Sequence, residues 1–352
     1  NKTVISIDCM GGDLGVEVVI RGMAKAFSKN ESLSFILHGN ENEINNILIN
    51  FPTLNKSCIV LGAERTVEMH EKPSFALRNG KNTSMWNALH SVKKGVAKTA
   101  VSCGNTGALM AMSMIILKKA PSINRPAIAV LWPSLNKKGF SIVLDAGADI
   151  KADSTDLLQY ALMGTSYAKI GFNIKNPKLG LLNIGTEPHK GHTKLHVASD
   201  LIEEASKNKE FNYIGYVEGH DLHSAKVDVI VTDGFTGNVA LKTGEGTASL
   251  INGFIKQAFS NSIWSRIGAI FALSSLKRLK KRIDPRRVNG GVFLGLNGTV
   301  IKSHGSADET GIAAAINLAF ELSKEKFSEK LISKVAFYDK KINETYNGKS
   351  DT

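Results

Sequence analysis

The sequence is poor in cysteine and contains no long apolar run. Its 352 residues include three cysteines, Cys9, Cys58 and Cys103, which are too few and too scattered for a disulfide framework or a metal cage. Apolar runs such as Ile267 to Leu273 are far shorter than the ~20 residues that a membrane-spanning helix needs. A strand pattern begins after Asn1-Lys2-Thr3 without a charged-then-apolar leader, so neither export nor membrane spanning is expected. We interpret Cys9 and Cys103 as small buried residues rather than nucleophiles.

Linkers, repeats and the familiar nucleotide-binding motifs are also missing. No stretch rich in proline, glycine or serine divides the chain, so we expect a single two-lobed domain over 1–340, with a projecting helical hairpin at about 243–285 and a tail at 341–352. The motif G-x-x-x-x-G-K-[ST] is absent. Gly11-Gly12-Asp13-Leu14-Gly15 lacks the G-x-G-x-x-G spacing and puts Asp13 where a pyrophosphate would lie.

Acidic residues are outnumbered, with 32 Asp and Glu against 44 Lys and Arg and a net charge of +12. The excess is concentrated between Lys256 and Arg287, where Asp284 is the one acid among nine cations. Large apolar residues such as Trp264 and Phe271 are interspersed. Such a segment can bind nucleic acid, grip an acidic protein or lie on a membrane surface, or it can be a solvated helix face.

Five apolar runs end abruptly in polar turns that carry glycine. These turns are Cys9-Met10-Gly11-Gly12-Asp13, Cys103-Gly104-Asn105-Thr106-Gly107, Asp145-Ala146-Gly147-Ala148-Asp149, Gly185-Thr186-Glu187 and Asp233-Gly234-Phe235-Thr236-Gly237-Asn238. Continuous apolar runs are typical of strands in a parallel sheet that helices cover on both faces. Because ligands bind at the carboxyl ends of parallel strands, we expect the five turns to converge on one edge and form one site.

Strand-like and helix-like segments alternate, which is typical of a doubly wound sheet. Strands are expected at 4–7, 34–37, 57–60 and 99–102, besides the runs at 140–144, 179–184 and 227–232. Helices are expected at 16–27, 41–49, 84–96, 105–117, 153–170, 194–206, 238–259 and 309–326.

Two of the turns lead into helices, at Asn105 and near Asn238. The unpaired amides and the positive dipole end of a helix N-terminus attract phosphate, so these turns predict anion binding. The alternative is that Asn and Thr here serve as structural caps.

The turn Asn183 to His192 contributes Lys190, a cation that can bind phosphate and stabilise an oxyanion, and Asn238 can donate a hydrogen bond to the same developing charge. His189, His192 and Glu187 are weak evidence for a metal, and no bound catalytic metal is expected. His304 follows another predicted strand and is either a general base or a residue at the edge of the site.

The basic segment has a break in its helical periodicity. Ile263, Ile267, Ile270 and Phe271 share one face with Trp264 at its edge, but beyond Ser274-Ser275 that face carries lysine and arginine. We therefore expect two projecting helices joined by an apolar tip at about 263–271, not one straight amphipathic helix. The predicted membrane contacts are Ile263, Trp264, Ile267 and Phe271, with the cations behind them.

Six ordered motifs together resemble the bacterial phosphate acyltransferase family of phospholipid synthesis. They are Asp8-x-Met10-Gly11-Gly12-Asp13, Ser102-x-Gly104-Asn105-Thr106-Gly107-Ala108, Leu144-Asp145-x-Gly147-Ala148, Asn183-Ile184-Gly185-Thr186-Glu187-x-x-Lys190-Gly191, Asp233-Gly234-Phe235-Thr236-Gly237-Asn238-Val239 and Asn297-Gly298-x-x-Ile301-x-x-His304-Gly305-Ser306. The resemblance extends from Ile5 to about Phe337.

The resemblance implies an α/β enzyme with a doubly wound, mostly parallel, three-layer sheet, akin to phosphotransacetylases and to isocitrate and isopropylmalate dehydrogenases. It implies a cytoplasmic, peripherally membrane-associated homodimer that moves a fatty acyl group from acyl carrier protein to inorganic phosphate. No cofactor and no nucleic acid are implied. The acyl phosphate product would pass to a membrane glycerol-3-phosphate acyltransferase.

The resemblance also implies that Lys190 and Asn238 are catalytic. We expect phosphate to attack the thioester directly, held by the amides near Gly104 to Gly107 and Gly237 to Asn238. The residues expected to bind the substrates are Asp8, Gly11, Gly12, Asp13, Gly104, Asn105, Thr106, Gly107, Asp145, Gly185, Thr186, Asp233, Thr236, Gly237 and His304. A short-chain phosphotransacetylase that uses coenzyme A is the alternative, ahead of a dehydrogenase and of a basic nucleic-acid-binding protein.

Overall fold

The computed structural model describes residues 2–283, 290–324 and 327–347, without the side chains of residues 263, 266, 277–283 and 339–347. The elements of its first part, in chain order, are β1 (Thr3–Asp8), α1 (Gly15–Phe27), β2 (Leu33–Gly39), α2 (Glu41–Leu48), α3 (Pro52–Asn55), β3 (Cys58–Gly62), α4 (Pro73–Asn79), α5 (Ser84–Lys93), β4 (Thr99–Ser102), α6 (Thr106–Ile116) and β5 (Ala127–Pro133).

The second part of the chain, from β6 onward, contributes the remaining strands and the longest helices. Its elements are β6 (Phe140–Leu144), α7 (Ser154–Phe172), β7 (Lys178–Leu182), α8 (Thr193–Ser206), β8 (Asn212–Val217), β9 (Val229–Val231), α9 (Gly234–Ser260), α10 (Ile263–Ile283), β10 (Gly291–Leu294), β11 (Thr299–Lys302), α11 (Glu309–Lys324) and α12 (Phe327–Asn347). A short 3-10 turn spans Gly219–His223. Helix α12 overlaps the start of the tail expected at 341.

The strands of the described residues form one sheet in the order β3-β2-β1-β4-β11-β10-β5-β6-β9-β7-β8. Strands β1, β4, β6 and β9 are almost entirely buried, as strands covered on both faces must be. Helices α1, α7, α8, α11 and α12 contribute to one hydrophobic cluster, and α4, α5 and α6 contribute to another. The expected α/β class, with a mostly parallel sheet between two helical layers, is confirmed.

Three antiparallel pairings at the centre of the sheet decide where its strand ends lie. Strand β10 is antiparallel to both β11 and β5, and β5 is antiparallel to β6. Strands β6, β9, β7 and β8 are parallel to one another, and they therefore run opposite to β1, β2, β3, β4 and β11. The carboxyl ends of the two groups lie on opposite edges of the sheet.

The expectation that all five turns converge on one edge is therefore wrong. We call the edge that carries the turns after β1, β4 and β11 the first edge. The edge that carries the turns after β6, β9 and β7 is the second edge. The sequence predicted the strands that precede these turns, but an apolar run does not show in which direction its strand enters the sheet.

Helices α9 and α10 form an antiparallel hairpin whose connection is Asn261-Ser262. Most of α9 beyond Gly244 is exposed or half-buried, so the hairpin leaves the body as predicted. The bend comes earlier than expected, because α10 runs without interruption through Ser274-Ser275. The expected apolar tip at 263–271 is thus the first two turns of α10 and not a loop between two helices.

Candidate functional site

The first edge is organised by the buried carboxylate of Asp8. It accepts hydrogen bonds from Ser102 Oγ at 2.7 Å and from the Met10 amide at 3.3 Å, and burial raises its pKa. A Cβ at Gly11 would lie 2.6 Å from Asp8 Oδ2 and 2.7 Å from the Gly104 amide. Glycine is therefore required for the turns after β1 and β4 to approach each other.

Lys302, the last residue of β11, lies at the same edge and was missed as a site residue by the sequence reasoning. Its side chain is buried, and Nζ donates to the main-chain carbonyls of Cys103 and Ser303. Burial lowers its pKa to about 8; Cys103, Asp13 and Asp8 oppose the decrease, while Lys242 on α9 adds to it. The signal in the sequence was a lysine directly after the apolar pair Val300-Ile301.

Asn105 is an N-cap, which is the structural alternative considered for it. Its Oδ1 accepts from the Ala108 amide at 3.0 Å, and Nδ2 donates to the carbonyls of Met69 and Glu71, both at 2.9 Å. The amides of Thr106 and Gly107 begin α6 and have no carbonyl one turn earlier to accept from them. These two amides are what the turn offers an anion, so the predicted phosphate site at Gly104 to Gly107 stays a prediction.

Asp13 and His304 stand at the exposed rim of the first edge. The Asp13 amide donates to the carbonyl of Gly305 at 2.9 Å, which joins the turn after β1 to the turn after β11. His304 is exposed, and its Nδ1 contacts Ser306 Oγ at 2.8 Å. Gly12 is half-buried beside Cys103.

The thiols at this edge are enclosed. Cys9 and Cys103 are both buried, and burial raises the pKa of Cys103 to about 11. Because the thiolate is the nucleophilic form, these surroundings support the expectation that neither is a nucleophile. In the part of the chain that the structure describes, no group of three His, Cys, Asp or Glu side chains could hold a metal ion.

At the second edge, Asp145 is fully buried and binds its own loop. It accepts from the amides of Ile128 at 2.8 Å, Ala148 at 2.9 Å and Asp149 at 2.6 Å, and also from Gly147. Burial raises its pKa, and the backbone hydrogen bonds oppose that increase. The geometry indicates that Asp145 shapes the loop; substrate contact by Asp145 stays a prediction.

Helix α9 begins at Gly234, four residues before the expected start. Asp233 is its N-cap and accepts from the Thr236 amide at 2.9 Å, while Lys194 Nζ lies 3.0 Å from Asp233 Oδ2. Partial burial raises the pKa of Asp233, but the hydrogen bonds from Thr236 and Lys194 outweigh it, so the pKa is lowered. Lys194, another residue missed from the sequence, ties α8 to the start of α9.

The early start of α9 changes the chemistry available there. The Gly234 amide donates to the Asp149 carbonyl and the Gly237 amide to the Asp233 carbonyl, both at 2.9 Å. These N–H groups are occupied, so the expectation that the amides at Gly237 to Asn238 hold phosphate is wrong for Gly237. The side chain of Asn238 stays available at this point.

Asn238 lies on an exposed part of α9 and faces the loop after β6. Its Nδ2 donates to the Ala146 carbonyl at 3.2 Å, which uses one of the two N–H donors of the carboxamide. Gly147 has φ +126°, and a Cβ there would lie 2.8 Å from Asn238 Nδ2. The loop therefore positions the Asn238 amide through a glycine.

Lys190 stands in a turn that closes on itself after β7. Asn183 Nδ2 donates to the Lys190 carbonyl at 2.9 Å, and Lys190 Nζ lies 2.8 Å from Glu187 Oε1. This hydrogen bond raises the pKa of Lys190, so the side chain stays cationic. The stem of Lys190 crosses Gly185, where a Cβ would collide with Cδ; Thr186 is exposed beside it.

The structure brings Asp145, Gly147, Asp233 and Asn238 together and holds the Lys190 turn on the neighbouring strand. It holds Asp8, Gly11, Gly104 and Lys302 together at the other edge. Helix α9 connects the two groups, because Leu241 packs against the hydrophobic cluster that contains Ala108 and Ala146, and Lys242 lies within electrostatic range of Lys302.

The predicted membrane contacts are strongly exposed where they are described. Trp264 is 82% exposed and Phe271 86% exposed, and Ile267 is exposed beside them. The side chains of Ile263 and of the cations at 277–283 lie outside the described residues, as do Asp284, Arg286 and Arg287. No helix in the described ranges is long and apolar enough to cross a membrane.

Comparison with known proteins gives close relatives. The family model described as "Fatty acid synthesis protein" matches residues 3–330. The phosphate acyltransferase of Dinoroseobacter shibae is 58% identical over 334 residues, which are 95% of this chain and 87% of that protein. The phosphate acyltransferase of Paracoccus denitrificans is 57% identical over 333 residues, which are 95% of this chain and 90% of that protein.

Solved structures share the fold at low identity. A phosphotransacetylase from Streptococcus pyogenes has a TM-score of 0.59 at 19% identity, covering 91% of this chain and 94% of its own. The EutD phosphotransacetylase from Staphylococcus aureus has a TM-score of 0.58 at 15% identity, covering 94% of both chains. These similarities agree with the fold that the sequence predicted.

Proposed function

Because the chain belongs to the fatty acid synthesis protein family, we propose that it transfers a fatty acyl group from acyl carrier protein to inorganic phosphate. The product is acyl phosphate, a precursor for phospholipid synthesis. The observation that carries the proposal is the identity of 58% over 95% of the chain with a phosphate acyltransferase.

In this mechanism an oxygen of hydrogen phosphate attacks the thioester carbonyl and a carbon–oxygen bond forms. The tetrahedral intermediate then collapses with cleavage of the carbon–sulfur bond, and the carrier leaves as its thiol with the proton that the phosphate gives up. Lys190 and Asn238 stabilise the oxyanion of the tetrahedral intermediate. Three features support these roles: Lys190 is a cation with a raised pKa, Asn238 keeps a second amide hydrogen, and both groups are at the second edge.

Phosphate has two sources of positive potential in this scheme. The amides of Thr106 and Gly107 begin α6 at the first edge, and Lys302 lies at the same edge within electrostatic range of Lys242 on α9. We infer that phosphate lies between the start of α6 and α9, where these groups can reach it. Ala108 and Ala146 belong to one hydrophobic cluster and Leu241 packs against that cluster, which supports this arrangement.

The discriminating experiment is an assay of acyl phosphate formation with two donors. Palmitoyl acyl carrier protein and acetyl coenzyme A are each offered with phosphate, and the hydroxamate formed from acyl phosphate is measured. We expect turnover with the first donor only. Turnover with acetyl coenzyme A alone would establish the short-chain phosphotransacetylase, and a salt-sensitive DNA shift without turnover would favour a nucleic-acid-binding protein.

We also propose that the enzyme is a homodimer that lies on the cytoplasmic membrane surface through the α9–α10 hairpin. The exposed Trp264 and Phe271, on one side of the first turns of α10, support membrane contact. Such a location would deliver acyl phosphate directly to a membrane glycerol-3-phosphate acyltransferase.

A further inference from the structure

Four large apolar side chains are exposed around the turns that carry Lys190 and Asn238. They are Ile150, Ile184, Phe235 and Val239, with exposed fractions of 64%, 78%, 63% and 51%. We call these four residues the second-edge patch. Single exposed apolar residues are normal on a protein surface, but a cluster beside reactive groups indicates a binding site.

The pairing of three adjacent strands brings the patch together. Strand β9 pairs with β6 on one side and with β7 on the other. The Gly234 amide donates to the Asp149 carbonyl at 2.9 Å. Ile150 directly follows Asp149 and Phe235 directly follows Gly234, so this hydrogen bond holds Ile150 and Phe235 near each other. Leu181 pairs with Val231. Ile184 and Gly234 lie the same number of residues beyond this pair, so Ile184 is at the same end of the sheet as the start of α9.

The patch is continuous with the proposed reaction centre. Ile184 precedes Gly185, across which the stem of Lys190 lies. Val239 follows Asn238, and Phe235 is one helical turn before Val239 on α9. If the acyl carbonyl is held between Lys190 and Asn238, the alkyl chain attached to it therefore has apolar surface on both sides.

The size and composition of the patch favour a narrow ligand over a second copy of the chain. Four side chains present only a few hundred Å², whereas a standard protein interface buries about 800 Å² on each partner. Charged groups also divide it, because Glu187, Lys190 and the Lys194–Asp233 ion pair lie among its members. An alkyl chain can pass between such groups.

We propose that the second-edge patch binds the methylene chain of the acyl group while Lys190 and Asn238 act on its carbonyl. This inference rests on the proposed function and adds to it the surface that selects long chains. Each buried methylene contributes about fourfold to affinity, so contact with a few methylenes separates long from short acyl groups.

The test compares Ile184→Ser/Phe235→Ser with a matched control, Ile49→Ser/Phe337→Ser. Ile49 and Phe337 are 70% and 62% exposed. Ile49 is the C-cap of α2 and Phe337 lies on α12, so neither belongs to a turn of the first or the second edge. KM and kcat are measured with palmitoyl and butyryl groups on the same acyl carrier protein, at saturating phosphate. We expect the patch variant to raise KM for palmitoyl about tenfold and to change KM for butyryl less than twofold, with the control unchanged.

Other outcomes would overturn the inference in recognisable ways. An equal loss for both chain lengths would mean that the residues only hold the catalytic turns, and no loss would place the chain elsewhere. A change of mass in sedimentation would show that the patch joins two copies. If the unaltered enzyme forms no acyl phosphate, the proposed function fails, and fluorescence titration with cis-parinaric acid then tests chain binding alone: loss of binding in the patch variant would keep the inference, and equal binding would reject it.

Discussion

Lys190 and Lys302 are both lysines at strand ends, yet their surroundings give them opposite properties. Lys190 is half-buried and paired with Glu187, which raises its pKa. Lys302 is buried against main-chain carbonyls, which leaves its charge poorly solvated and lowers its pKa to about 8. Residue type alone does not separate these two lysines, and only the fold distinguishes them.

The proposed roles of Lys190 and Asn238 predict large losses of turnover on truncation. Lys190→Ala and Asn238→Ala should each lower kcat by on the order of 10²-fold or more, because each removes a donor to the developing oxyanion. Lys207→Ala is the matched control, since Lys207 has the same i,i+3 pairing with Glu204 on the same half of the sheet. Steady-state assays with unchanged circular dichroism measure the effect. Retention of more than about a third of the activity in either variant would refute the assignment.

The pKa of Lys302 predicts a pH dependence of stability. Between pH 8 and pH 10.5 the unfolded chain still holds the proton that native Lys302 has released, so this group makes the free energy of unfolding rise with pH in that window. Compared with Lys302→Met, the unaltered protein should gain on the order of 2–3 kcal/mol from pH 7 to pH 10.5. Urea unfolding of both proteins at several pH values measures the difference between their free energies of unfolding. The contributions of the other titrating groups cancel, because both proteins contain them. A difference that does not vary with pH would show that burial does not perturb Lys302.

At the scale of elements, the loop after β6 and the first turns of α9 act as one unit. Asp145 fixes the loop through four backbone amides, and the loop in turn accepts hydrogen bonds from Gly234 and Asn238. Asp145 therefore positions Asn238 indirectly, through the loop after β6, although the Asp145 carboxylate is itself buried.

This unit predicts a specific effect of Gly147→Ala. The methyl group would lie against Asn238 Nδ2, at 2.8 Å, and displace it, so turnover should fall by about tenfold or more, since a small misplacement of a catalytic group is costly. Gly139→Ala is the control, because Gly139 also has a positive φ, +81°, but has nothing within 4 Å of its Cβ position. Both changes should lower stability by about 1–2 kcal/mol, measured by thermal unfolding. Equal activity of the two variants would show that Gly147 does not position Asn238.

Much of the fold was predictable because apolar runs and glycine turns are local signals. Strands β1, β4, β6 and β9 and helices α1, α7 and α11 lie where the pattern placed them. Strands β5, β8 and β10 were not identified, and β5 and β10 pair antiparallel with each other at the centre of the sheet. Their absence from the prediction is why the reversal of direction, and with it the second edge, was missed.

The site was predictable in composition but not in arrangement. Asn238 was identified from its turn, yet only the cap at Asp233 shows that it lies inside α9, where a side chain rather than a backbone amide faces the ligand. Lys194 and Lys302 were missed because their partners, Asp233 and the carbonyl of Cys103, are 39 and 199 residues away along the chain.

At the scale of the whole molecule, the positive charge and the exposed apolar residues are concentrated on the same hairpin. Between Lys256 and Arg287 the sequence has nine cations and one acid, and Trp264 and Phe271 are among the most exposed apolar residues of the described chain. A protein that binds an acidic partner needs only the cations, whereas one that enters a bilayer interface needs the apolar residues as well.

Vesicle flotation of a Trp264→Ser/Phe271→Ser variant tests whether the hairpin enters a bilayer interface or binds an acidic protein. On vesicles that contain anionic lipid, the variant should float at least fivefold less than the unaltered protein, because both side chains would leave water for the interface. Turnover in solution should be unchanged, since neither residue is near Lys190 or Asn238 in the fold. Phe75→Ser is a control for the loss of an exposed aromatic residue on the body, where Phe75 is 52% exposed. High salt should weaken the binding of all three proteins, because each cation near the surface contributes about 1 kcal/mol. If the variant floats as well as the unaltered protein, the first turns of α10 do not enter the membrane, and the cations of the hairpin serve an acidic protein partner.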